Sequence, residues 1–184
     1  VKAANGRATV IAGTGSNNTK ATIELTKEAE KLGVDGIMLV TPYYNRPDQS
    51  GLYEHFKTIA NATSLPIMIY NIPSRASVNI EAETIIKLSK IDNIVSVKEA
   101  SGNLAQMSII VEKTRQEFTL YSGDDGLTIP VLSIGGYGVV SVASHIIGKE
   151  MKEMIVAFKN GQVEKAASIH RRLLRVMQVL FKQP

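Results

Sequence analysis

The sequence predicts an α/β fold built on a parallel sheet. Short β-branched runs recur along the chain, and each is followed by a longer segment with apolar residues at helical spacing. The strand candidates are almost wholly apolar, as expected when helices cover both faces of a sheet. They lie at 9–12, 36–40, 66–70, 94–98, 119–121 and 138–142, and the helix candidates between them at 18–32, 51–62, 80–90, 104–117 and 126–134. Alternation of this kind calls for βαβ crossovers.

The elements follow in order. Leu25, Ala29 and Leu32 mark one face of the first helix, and Gly33 closes it. Pro66 announces the third strand, and Ile85, Leu88 and Ile91 give the next helix its apolar stripe. Two last helices, 149–159 and 163–181, are separated by the turn signal Asn160-Gly161. Polar residues gather just after each strand, at 14–18, 41–45, 71–75, 98–101, 122–125 and 141–144. Active groups at every strand's C-terminal end are the habit of a TIM (β/α)8 barrel. The expected organisation is a partial barrel over 1–148 and the start of a C-terminal helical region over 149–184. Such barrels have eight strands in roughly 250 residues, and six strand–helix units are legible here. An open six-stranded barrel leaves two parallel edges exposed. The chain is therefore expected to be a segment of a longer protein, with the first two strands missing.

Of the 184 residues, 44% are hydrophobic and 21% charged, the make-up of an ordinary globular protein. No apolar run is long enough to cross a bilayer and no charged-then-apolar leader opens the chain, so no membrane partner is expected. Cysteine is absent, which fits a reducing, cytoplasmic setting and excludes thiolate metal sites. The formal charge is +4, but basic residues are interspersed with acids. The densest group, Arg171, Arg172 and Arg175, sits on a helix with an apolar opposite face, so nucleic acid is not expected as a partner.

Lys98 closes the otherwise apolar strand Ile94-Val95-Ser96-Val97-Lys98 and is the most informative residue. Burial disfavours an ammonium and lowers its pKa, and a neutral amine attacks carbonyl carbon to give a Schiff base. The plainer alternatives are an ion pair with Glu99 or a phosphate anchor at the strand end. Tyr70 ends the preceding strand and is expected beside Lys98, where a phenol serves the proton transfers of imine chemistry; otherwise it caps the core. Arg75 follows Pro73 on the same loop and offers a fork for a carboxylate, or else a surface ion pair. Tyr43 and Tyr44 sit on a proline-bracketed loop and point to an interface or a site wall. Asp124 and Asp125 are read as loop caps rather than metal ligands, and His55, His145 and His170 as structural.

These motifs occur together and in order: Val10-Ile11-Ala12-Gly13-Thr14-Gly15, Thr41-Pro42-Tyr43-Tyr44-Asn45, Tyr70-Asn71-Ile72-Pro73-Ser74-Arg75, Val97-Lys98-Glu99-Ala100-Ser101 and Tyr121-Ser122-Gly123-Asp124-Asp125. In them the chain resembles the dihydrodipicolinate synthase family, one of the pyruvate-dependent class I aldolases. The resemblance implies condensation of pyruvate with L-aspartate 4-semialdehyde to 4-hydroxy-tetrahydrodipicolinate, in lysine and diaminopimelate biosynthesis. It assigns the imine to Lys98, proton relay to Tyr70, and to Tyr44 a reach into a neighbouring subunit's site. Arg75 would receive the aldehyde's carboxylate, and the main-chain carbonyl of Val140 would meet pyruvate. It also implies a homotetramer arranged as a dimer of dimers, with no cofactor and no metal. Asn17 and Tyr43 match a lysine feedback site, but Ala21 stands where inhibited members carry an acid, which argues against feedback here. The family's Gly-Thr-Thr-Gly-Glu motif, with its relay threonine, is absent from this sequence. Two other readings stand beside this one: an aldolase of the N-acetylneuraminate lyase kind, and an inactive fragment serving assembly.

Overall fold

The computed structural model describes residues 1–182. Six strands, β1 (Ile11–Gly13), β2 (Gly36–Val40), β3 (Ile67–Asn71), β4 (Ile94–Glu99), β5 (Thr119–Ser122) and β6 (Gly138–Val139), form one parallel sheet in chain order. These are six consecutive staves of a (β/α)8 barrel. Among the described residues, β1 and β6 each pair on one side only. The helices are α1 (Thr19–Lys31), α2 (Gln49–Ala60), α3 (Pro73–Ala76), α4 (Ala82–Leu88), α5 (Leu104–Lys113), α6 (Thr128–Ser133), α7 (Ser144–Lys159) and α8 (Val163–Val179). A 3-10 turn, Asp125–Leu127, precedes α6.

Side chains alternate across a strand, and the sequence exploits that period. Ile37, Leu39, Ile67, Ile69, Val97 and Leu120 share one buried core with Leu52, Phe56, Ile59, Ile85, Leu88, Met107 and Ile110 from the helices. The residues between them, including Met38, Val40, Tyr70 and Lys98, face the barrel interior. Tyr70 pairs with Lys98, and Lys98 with Tyr121, in the strand ladders. One irregularity produces the first pairing. Ile67 pairs with Ile94, but Met68 pairs with Ser96, so Val95 is skipped at the lower end of β4.

Asn18, Asp48 and Asn103 cap α1, α2 and α5 by accepting from the main-chain N–H of Ala21, Gly51 and Gln106. Each such cap contributes about 1 kcal/mol. Gly33 and Gly161 take positive φ (73° and 75°) where their helices end, as a residue without Cβ does readily.

Several expectations are corrected. α1 buries Thr22, Thr26 and Ala29, while Leu25 and Leu32 stay exposed. The threonines are tolerated inside because Thr22 Oγ1 donates to Asn18 O and Thr26 Oγ1 meets Thr14 Oγ1 at 3.0 Å. α5 stops at Lys113, four residues early, because Thr114 turns extended (ψ 162°). β6 is only two residues long, and α7 begins at Ser144 rather than 149, with non-helical angles at Ile147. α3 was not foreseen; its proline occupies the first turn, where no N–H is needed.

Candidate active site

The upper ends of β3, β4 and β5 open into a cleft of about 620 Å³ lined by Tyr70, Arg75, Lys98, Ala100, Gly123, Asp124 and Leu127. Leu174, Met177 and Phe181, from α8 and the residues just after it, form its far wall. Lys98 is only 8% exposed, and its Nζ lies 3.9 Å from the centre of the Tyr70 ring. Burial lowers the pKa of this amine below 10.5, with the Asp125 carboxylate pulling the other way. Burial raises the Tyr70 phenol above 10, with partial relief from the Arg75 charge.

The sequence left open an ion pair between Lys98 and Glu99. The strand alternation separates them: Glu99 is fully buried on the helix-facing side and is held there by Asn71, Gln106 and the Ser101 N–H. Among the described residues, the two side-chain ion pairs are Lys57–Glu54 and Lys165–Glu153, both at the surface. Lys98 is thus a desolvated amine over an aromatic face. The glycine at 123 makes room for it, since a Cβ there would stand 3.1 Å from Lys98 Cε and 2.7 Å from Ala100 Cβ.

The other candidates are distributed as follows. Arg75 is exposed at the cleft mouth on α3. Val140 follows β6 and donates its N–H to Ser122 O, while Val142 reaches the cleft wall. Tyr44 lies outside the cleft, 90% exposed, with φ of 74°. Tyr43 is 43% exposed, and Asn45 Nδ2 in the same loop donates to Asn17 O, so the loops of Tyr43 and Asn17 are joined. Asp124 caps Gly126 N–H, and Asp125 Oδ2 accepts from Val142 and Ala143, as loop caps do. Among the described residues, no three His, Cys, Asp or Glu side chains are grouped to hold a metal.

Sequence reasoning missed the α8 wall and the role of Gly123. The spacing of Leu174, Met177 and Phe181 marks an apolar helix face, but nothing local says that the face covers a cleft.

Comparison with known proteins gives this arrangement its relatives. A family model described as the dihydrodipicolinate synthetase family matches residues 1–184. The chain belongs to this family. It is 65% identical over all its residues to 4-hydroxy-tetrahydrodipicolinate synthase 1 of Halalkalibacterium halodurans, covering 62% of that protein. A crystal structure of dihydrodipicolinate synthase from Bacillus anthracis superposes with a TM-score of 0.98 at 54% identity, over 100% of this chain and 63% of that one. The Cyanidioschyzon merolae enzyme, solved with lysine bound, matches at TM-score 0.93 and 53% identity, over 95% of this chain and 59% of that one. The chain thus spans about 62% of the length of the Halalkalibacterium halodurans relative.

Proposed function

We propose that this chain carries the imine-forming centre of a 4-hydroxy-tetrahydrodipicolinate synthase, acting on pyruvate and L-aspartate 4-semialdehyde. The observation that carries the reading is the desolvated Lys98 amine 3.9 Å from the Tyr70 ring centre, at the bottom of a cleft whose mouth bears Arg75. Family membership supports the choice of substrates.

In this reading, neutral Lys98 attacks C2 of pyruvate, and the carbinolamine loses water to give the imine. The Tyr70 phenol, its pKa raised, keeps its proton at neutral pH and lends it to the departing hydroxyl. The Tyr70 phenolate takes a C3 proton to give the enamine, whose C3 bonds to the aldehyde carbon of the second substrate as the aldehyde oxygen takes up that proton. Attack by that substrate's amine on the imine carbon then frees Lys98 and closes the ring. Arg75 orients the aldehyde through its carboxylate, and the main-chain carbonyl of Val140 faces pyruvate. No cofactor enters these steps, because the imine itself acts as the electron sink.

We further read Tyr44 as a residue of a subunit interface in a homotetramer. Its exposed ring on a left-handed backbone supports this, since such strain is kept where a contact uses it. The joined loops of Asn17 and Tyr43 are read as the remnant of a lysine site, without the acid that Ala21 replaces. The enzyme is read as cytoplasmic, serving lysine and diaminopimelate synthesis. Borohydride reduction in the presence of pyruvate, followed by peptide mapping, tests the central step. The reduced pyruvyl group is expected on Lys98; labelling of another lysine, or none, refutes it.

A further inference from the structure

One residue beyond Tyr70 and Lys98, on the helix-facing side of the sheet, the same two strands carry a second buried pair, Asn71 and Glu99. Neutral donors hold the Glu99 carboxylate. Oε1 accepts from the Ser101 N–H at 2.7 Å and Oε2 from Gln106 Nε2 at 3.0 Å. Asn71 Nδ2 reaches both oxygens, at 3.2 and 3.0 Å. The bonding continues outward. Asn71 Oδ1 accepts from Ile80 N–H, Asn71 Nδ2 also donates to Asn79 Oδ1, and Asn79 Nδ2 donates to Gln106 Oε1. Gln49, the first residue of α2, donates to Asn79 O and accepts from Glu81 N–H and Thr84 Oγ1.

Three segments meet in this network: the start of α2, which follows the loop of Tyr44; the link from α3, which bears Arg75, to α4; and the residues just past Lys98. A dry carboxylate is tolerated only when its oxygens are fully hydrogen-bonded. As an ionised group it only accepts, so it dictates the orientation of each amide around it. Asn71 must turn its NH2 inward, which leaves its carbonyl for Ile80; Gln106 must do the same, which leaves its carbonyl for Asn79. Bonds to a charged group are about twice as strong as neutral ones, so the hub is stiff. Since side chains alternate, fixing residues 71 and 99 outside fixes the backbone that aims 70 and 98 inside.

We propose that Glu99 is a positioning residue for the imine centre: through Asn71 and Gln106 its buried carboxylate sets the approach of Tyr70 to Lys98 and seats the Arg75 loop. The assignment rests on the imine reading of Lys98 and deepens it.

The test uses the natural full-length protein with Glu99→Gln, Asn71→Asp and the pair together. Pyruvate adduct formation on Lys98 is timed by borohydride quenching, and KM for aspartate semialdehyde and the melting curve are recorded. Glu99→Gln sets amide donors against donors and should slow adduct formation roughly 10- to 100-fold, the scale of a displacement near 1 Å, while KM rises. Asn71→Asp opposes two carboxylates and should be slower still. The pair moves the charge one strand over; flips of Asn79 and Gln106 restore the bonds to it and give up the Gln106 Nε2 bond to Ile80 O at 3.2 Å, so part of the rate should return. Wild-type adduct kinetics in folded Glu99→Gln, or a pair no faster than Asn71→Asp, would overturn the proposal. The second comparison holds even if Glu99→Gln alone does not accumulate. A lowered melting temperature with an unchanged rate in the folded fraction also overturns it, since that marks a purely structural network. Failure of the wild type to label Lys98 is a different outcome and removes the imine reading itself.

Discussion

Replacing Gly123 by alanine tests how tightly the cleft floor is fitted around the lysine. The added methyl would meet Ala100 Cβ at 2.7 Å, Lys98 Cε at 3.1 Å and Glu99 O at 3.3 Å. Carbon atoms in contact sit at about 3.5–4.0 Å, so the Ala100 contact is short by roughly 1 Å. Ala100 has no rotamer to yield, and Gly123 N–H is bonded to Glu99 O at 2.7 Å, so the strand ends must spread. Such overpacking costs about 1–3 kcal/mol. Lys98 Cε must give by a few tenths of an ångström and the strand end that carries it by more, and a displacement approaching about 1 Å costs about 100-fold in a positioned reaction. Gly138→Ala is the control, because its Cβ would lie 3.7 Å from the Tyr121 ring, an ordinary contact. Borohydride-trapped adduct on Lys98, timed by mass spectrometry, should fall 10- to 100-fold for Gly123→Ala and stay near wild type for Gly138→Ala. Should folded Gly123→Ala trap pyruvate as fast as wild type, the lysine does not lie across residue 123, and the description of the floor is wrong.

Burial lowers the Lys98 pKa, so the neutral amine accumulates as pH rises through a midpoint below 10.5. Adduct rate should follow that curve, and Asp125→Asn, which removes the opposing charge, should move the midpoint lower; a midpoint at or above 10.5 contradicts the assignment. His55, buried with Nδ1 on Thr19 Oγ1, titrates near 4 instead of 6.5 because of desolvation. The unfolded chain therefore binds the extra proton first, and the stability this histidine contributes is complete above pH 6.5 and fades as pH falls toward 4. The loss amounts to roughly 2–3 kcal/mol. Urea midpoints at pH 7.5 and 4.5 should differ by less in His55→Gln, and an equal difference would count against the buried neutral ring. Arg75 is exposed, so Arg75→Ala should leave the fold and the pyruvate adduct intact while raising KM for aspartate semialdehyde roughly tenfold or more; an unchanged KM removes its carboxylate role.

The strands and the pairing of Tyr70 with Lys98 were legible because period-2 burial and consecutive parallel staves are set by local pattern. Two kinds of feature were not. Burial of Thr22 and Thr26 in place of Leu25 depends on hydroxyl partners at Asn18 and Thr14, which no apolar count registers. The Glu99 hub was invisible for a similar reason. Beside a lysine in sequence, a glutamate reads as its ion partner, whereas the pleat sends the two to opposite faces. The short α3 escaped because four residues carry no periodicity, and the α8 wall because a helix pattern does not name what it covers.

The skipped Val95 shows which part of β4 the centre depends on. Tyr70 and Lys98 are neighbours because the ladder regains alignment at Met68 and Ser96, above the slip. A chain lacking Val95 would enter that alignment without a bulge and still set its amine over the phenol. Loss of a residue between Ser96 and Lys98 would instead turn the nitrogen toward the helices. What sets the amine over the phenol is the partner across the rung, not the number of residues counted between the two.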